Sequence, residues 1–66
     1  MEVKINNKKY SFENEITVSQ MLQDLKLSEK PCAVEVNKRL VSSSKHQDYF
    51  LEEGDEIEIV TLVGGG

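Results

Sequence analysis

Three consecutive glycines, Gly64, Gly65 and Gly66, close the 66-residue sequence directly after Glu58-Ile59-Val60-Thr61-Leu62-Val63. With glycine at roughly 7% of average composition, three in a row at a given place has a chance probability of about 3 in 10,000. Such an end presents its α-carboxylate on a tether free of side chains. An α-carboxyl has an unperturbed pKa of about 3.3–3.7, so at neutral pH it is ionised and a poor electrophile. Activation must come first, and adenylation by ATP is the direct route. An activating enzyme would take the terminus into a covered site that excludes water. Glycine suits that entry because it lacks a Cβ and tolerates almost any backbone conformation. At about 3.3–3.6 Å per extended residue, three glycines reach roughly 10 Å. The competing readings are a frayed terminus without a role and a remnant of an expression tag.

Few other residues have the neighbours that chemistry requires. Cys32 is the single cysteine and lies between Pro31 and Ala33. With no second cysteine or histidine beside it in sequence, it reads as a small buried hydrophobe rather than a reactive thiol. His46 stands alone in a Ser/Lys-rich stretch and reads as a solvated surface side chain, not a metal ligand or base. Glu52, Glu53, Asp55, Glu56 and Glu58 crowd the approach to the final apolar run. Their spacing is not that of an EF-hand. They read as a solvated face or as a docking surface that steers a basic partner. These residues make no catalytic constellation. The chain reads as a protein cosubstrate, not an enzyme, with no bound cofactor, no metal and ATP used only by its activating partner.

Sixty-six residues make one domain, and a chain this short buries only about 60% of its unfolded surface. Leu, Ile, Val and Phe supply 19 of the 66 residues, well above the range of disordered chains. The net charge of −4, without a basic stripe, argues against nucleic-acid binding. No apolar leader follows Met1-Glu2-Val3-Lys4, and the apolar stretch from Ile59 to Val63 is too short to span a bilayer. One cysteine excludes an internal disulfide framework. The expectation is a soluble cytoplasmic protein, monomeric on its own.

The rest of the chain must hold that terminus. Met1, Val3 and Ile5 alternate with polar residues as a half-buried strand does. Asn6-Asn7-Lys8 supplies turn chemistry, and Tyr10 and Phe12 continue as a second strand of a hairpin. Thr17 and Gln20 have the spacing of a capping box, with Ile16 and Met21 placed as a hydrophobic staple. Val18, Leu22 and Leu25 form one apolar stripe, predicting a short helix that ends near Lys26 and lies across a sheet. Cys32, Val34 and Val36 alternate as a third strand, Asn37-Lys38-Arg39 is a turn, and Leu40-Val41 is a short return. Ser42 to Gln47 reads as loop or a single helical turn, and Tyr49-Phe50-Leu51 as a brief strand or packed loop.

Glu53-Gly54-Asp55 is a tight turn before the last strand, Glu56 to Val63. One face of that strand carries Ile57, Ile59, Thr61 and Val63, and the other Glu56, Glu58, Val60 and Leu62. The second face changes from charged to apolar as it nears the glycines, whereas a strand buried on one side should stay polar on the other. Val60 and Leu62 are therefore either exposed anchors for a partner or covered by a loop carrying Tyr49. With the first and last strands side by side, the order gives a small mixed sheet with one helix packed across it, an α+β arrangement. The domain is 1–63 and the flexible glycine tail 64–66.

That order, the length and the Gly-Gly end resemble the ubiquitin-like β-grasp sulfur carriers, most closely the ThiS-type carriers of thiamine biosynthesis. Val34-Glu35-Val36-Asn37-Lys38, Glu53-Gly54-Asp55 and Ile57 to Gly66 carry the likeness. Ser42-Ser43 departs from it, standing where a Pro-Arg pair is expected. The resemblance implies an E1-like adenylyltransferase that adenylates the Gly66 carboxyl. It implies a persulfide donor whose sulfur displaces AMP to leave a thiocarboxylate. It implies a thiazole synthase that takes this sulfur, with a glycine-derived imine and deoxyxylulose phosphate, into the thiazole of thiamine. Gly66 would react, Gly64 and Gly65 would thread, and Val60, Leu62 and Val63 would be gripped. Carriers for molybdopterin or tRNA thiolation share the Gly-Gly end, and a ubiquitin-like modifier or interaction module is the reading from another class.

Overall fold

The computed structural model describes residues 1–62. Its first strand, β1 (Glu2–Ile5), turns through Asn6-Asn7 into β2 (Lys8–Ser11), pairing Val3 with Tyr10 and Ile5 with Lys8. Helix α1 (Val18–Asp24) follows, then β3 (Cys32–Val36), β4 (Arg39–Val41), a 3₁₀ turn over Ser43–Lys45, and β5 (Glu56–Thr61). The sheet order is β2-β1-β5-β3-β4, so the last strand in the chain lies in the middle. It runs parallel to β1 and antiparallel to β3. One helix across a mixed sheet whose first and last strands adjoin is the expected β-grasp.

Both ends of the helix are closed by local hydrogen bonds. Thr17 Oγ1 accepts from the Gln20 amide at 3.1 Å, and Gln20 Oε1 accepts from the Thr17 amide at 2.9 Å. The capping box read from sequence therefore forms. The two remaining first-turn amides, of Val18 and Ser19, donate to the carbonyls of Tyr49 and His46 at 2.9 and 3.0 Å. The loop from Ser42 to Leu51 is thereby strapped to the helix start, satisfying donors the helix cannot satisfy itself. At the other end Lys26 takes a positive φ of 61°. The Lys26 amide donates to Gln23 O and the Leu27 amide to Leu22 O, which is the Schellman closure.

Both hairpins turn on two left-handed residues, Asn6 and Asn7 (φ 50° and 70°) and Asn37 and Lys38 (φ 52° and 69°). This is the type I′ geometry, whose twist matches the strands it joins. Gly54, at φ 84°, gives the Glu52–Asp55 turn the positive φ that a type II turn needs at its third residue. Val3, Ile5, Val34, Val36, Val41, Ile57 and Ile59 from the sheet meet Val18, Met21 and Leu22 from the helix, with Leu51 filling in from the loop. No helix among the described residues is long and apolar enough to cross a membrane.

The two turn asparagines also hold the central strand. Where β1 turns away, the Asn6 side chain takes its place against β5: Oδ1 accepts from the Ile59 amide at 2.8 Å and Nδ2 donates to the Ile59 carbonyl at 3.2 Å. On the other side Asn37 Oδ1 accepts from the Glu56 amide at 3.0 Å, while Nδ2 donates to Asp55 Oδ1 at 3.0 Å. Asp55 Oδ2 accepts from the Glu52 amide at 2.8 Å, closing the turn that launches β5. Read from sequence as one of a solvated acidic run, Asp55 is instead buried because both carboxylate oxygens are occupied.

Asn6→Gly keeps the left-handed backbone but removes both bonds to Ile59. It should lower the unfolding free energy by about 1–3 kcal/mol, since the strand loses partners for a part-buried amide and carbonyl. Urea titration measures this, and an unchanged midpoint would mean that water replaces the side chain at no cost.

Candidate functional site

Alternation along β5 sends Ile57 and Ile59 into the core and Glu56, Glu58 and Val60 to the outer face, away from the helix. Register then assembles that face. Val60 lies opposite Ala33, Glu58 opposite Glu35, and Glu35 opposite Leu40 of β4. On the other side Glu56 lies opposite Lys4, which lies opposite Lys9. Lys4 and Glu56 thus pair opposite charges, whereas Glu35 and Glu58 set like charges side by side.

Val60 and Leu62 are 57% and 53% exposed. Of the two readings offered by the sequence, the structure selects the uncovered one. The loop carrying Tyr49 is occupied elsewhere, on the helix side, where its carbonyl caps α1. Leu62 follows the end of β5 and is held by one last backbone bond, its amide donating to the Pro31 carbonyl at 2.7 Å. The described strand ends at Thr61, short of the Val63 expected from sequence. Thr61 itself is exposed, not buried with Ile57 and Ile59, because the core stops at Ile59. Val63, Gly64, Gly65 and Gly66 lie outside the described residues.

The two residues read from sequence as a buried hydrophobe and a solvated side chain are both half-buried. Cys32 is half-buried against the core, with Sγ donating to the Lys30 carbonyl at 3.3 Å. His46 is half-buried rather than solvated, because its Nε2 lies 3.0 Å from the Val41 carbonyl. The fold brings both to one shallow depression of about 370 Å³, bordered also by Leu22, Pro31 and Leu62. Each side chain is engaged with a backbone carbonyl. Among the described residues no three His, Cys, Asp or Glu side chains gather as a metal site.

Sequence reasoning missed Leu40, the most exposed large apolar residue among the described residues at 69%. Its signal was present: in the short Leu40-Val41 return, adjacent apolar residues face opposite ways, and Val41 takes the core.

The sequence model of the ThiS family matches residues 3–66. The chain is 33% identical over its full length to a thiazole synthase of Paramagnetospirillum magneticum (strain ATCC 700264 / AMB-1) and 33% identical to one of Magnetococcus marinus (strain ATCC BAA-1437 / JCM 17883 / MC-1). It spans 20% of the length of each of these relatives. The crystal structure of the thiamine biosynthesis protein ThiS from Geobacter metallireducens superposes with a TM-score of 0.84 at 23% identity, covering all of both chains.

The exposure of Val60 makes a sharp contrast with its neighbour. Val60→Asp should change stability by no more than about 0.5 kcal/mol, as surface substitutions do. Ile59→Asp, one residue away in the core, should unfold the protein by burying an unpaired charge. Thermal melts of the two variants decide this, and equal losses would mean that Val60 is core.

Proposed function

Belonging as it does to the ThiS family, the chain is, we propose, a sulfur carrier for the thiazole moiety of thiamine, its reactive group being the Gly66 carboxylate. A carboxylate oxygen attacks the α-phosphorus of ATP in an E1-like enzyme, pyrophosphate leaves, and an acyl adenylate remains. The terminal sulfur of a persulfide then attacks the acyl carbon and AMP departs. A thiol cleaves the resulting acyl disulfide, itself becoming disulfide-linked to the donor, and the C-terminal thiocarboxylate is free. Sulfur is then fixed to a protein, not lost as sulfide, and thiazole synthase is the acceptor. The chain supplies no catalytic group in these steps. Gly66 reacts, while Gly64 and Gly65 thread a slot too narrow for side chains.

What carries this reading is the ThiS family match over residues 3–66, which includes the three glycines. An exposed Val60 and Leu62 on the approach to those glycines support a partner that grips Val60, Leu62 and Val63 while holding the end. Matches to thiazole synthases that contain a segment like this chain support that enzyme as the acceptor over the molybdopterin and tRNA pathways.

Intact mass spectrometry of untagged protein from its native host tests the central step. Incubation with ATP, the activating enzyme and a persulfide donor should replace one terminal oxygen by sulfur. A product joined to lysine would point to a protein modifier, and an unaltered carboxylate would overturn both. Gly65→Ala should keep the wild-type unfolding midpoint while adenylation falls, measured as pyrophosphate release. Wild-type release would overturn the threading argument.

A further inference from the structure

On the reading that an activating enzyme grips this protein, we infer that the gripped surface extends across the sheet to Leu40. We infer also that the partner places a basic side chain, arginine or lysine, between Glu35 and Glu58.

Three observations converge on this surface. Val60 stands exposed on the outer face, beside Ala33. Leu40 stands exposed on the same face, across Glu35 and on the far side of β3. From Leu40 a cross-strand row runs through Glu35 to Glu58, directly opposite one another on adjacent strands, and Val60 lies two residues along β5 from Glu58.

Directly opposed like charges destabilise a sheet pair, their Cβ atoms being about 4.5–5.5 Å apart. Nothing in the core requires either carboxylate, since both residues are exposed. A cation set between them would interact with both at once, and a planar guanidinium could bond each. Flanking apolar side chains would exclude water around that contact, as they do around strong interface contacts generally. The same charges argue against other occupants. A nucleic acid or an anionic lipid surface would be repelled by the glutamates and by the net charge of −4. A second copy would have to match this acidic half to the Lys4 and Lys9 half of its own face.

The test compares wild type with Glu35→Gln/Glu58→Gln, with Leu40→Ser, and with Glu13→Gln/Glu29→Gln, a control that removes the same charge outside the strands. Binding to the purified activating enzyme is followed by stopped-flow across a salt series, with urea unfolding and sedimentation in parallel. The sheet double variant should be as stable as wild type or more so. It should bind on the order of tenfold more weakly, chiefly through faster dissociation, as loss of a water-excluded charge contact does. Leu40→Ser should also weaken binding, and the control should match wild type.

Unchanged binding of the sheet variants would overturn the inference, as would an equal loss in the control. A wild-type dimer that these variants dissociate would assign the face to self-association and overturn it too. Failure of wild type to be adenylated at all is a different result, one that removes the sulfur-carrier reading and this inference with it.

Discussion

A central strand paired from both sides is the constraint on which this small fold rests. β5 takes hydrogen bonds from β1 on one side and β3 on the other. Its parallel partner is short: the β1 register covers only Lys4 with Glu56 and Ile5 with Ile57. Asn6 prolongs that ladder with a side chain, and Asn37 does the same at the opposite end of the β3 ladder. Each asparagine sits at the first left-handed residue of a tight turn, a position asparagine tolerates better than most. One residue type thus turns a hairpin and secures the neighbouring strand. In a domain of 66 residues, whose core margin is small, such double use matters.

The two faces of β5 serve different ends. Ile57 and Ile59 go to the core and tie the strand to the helix. On the other face Val60 leaves apolar area in water, a burial the isolated chain forgoes at about 25 cal/mol per Å². Glu35 and Glu58, side by side, add a mild repulsion. Neither feature helps the fold, and proteins commonly keep such local concessions where a surface has a second task. On the helix side Cys32 and His46 are each matched to a backbone carbonyl, while Phe50 of the loop strapped to the helix is left 55% exposed.

Much of this was legible in the residues themselves. The Thr17–Gln20 capping box, the alternation in β1, β3 and β5 and the Glu53-Gly54-Asp55 turn are local patterns, and local patterns read reliably. The switch of β5 from charged to apolar residues was readable in the same way, and the structure leaves Val60 and Leu62 exposed. What could not be read depends on register between distant segments. Asn6 reaches Ile59 and Asn37 reaches Asp55, and no short window relates those positions. Asp55 looked like one acid in a run because its partners come from another hairpin and its own turn. The choice between a covered and an open Val60 turned on where the Tyr49 loop goes, which the helix's unsatisfied amides decide.

The middle strand of the sheet is also the last of the five to leave the ribosome. Until it arrives, the two hairpins have no shared neighbour and each shows a bare edge, the kind that recruits wrong partners. Assembly therefore waits on contacts between remote parts of the chain, which slows folding for its size. Val60 of that strand comes into line with Ala33 of the second hairpin only once this late pairing has formed, so its exposed apolar surface takes its place on the outer face as the final step of assembly.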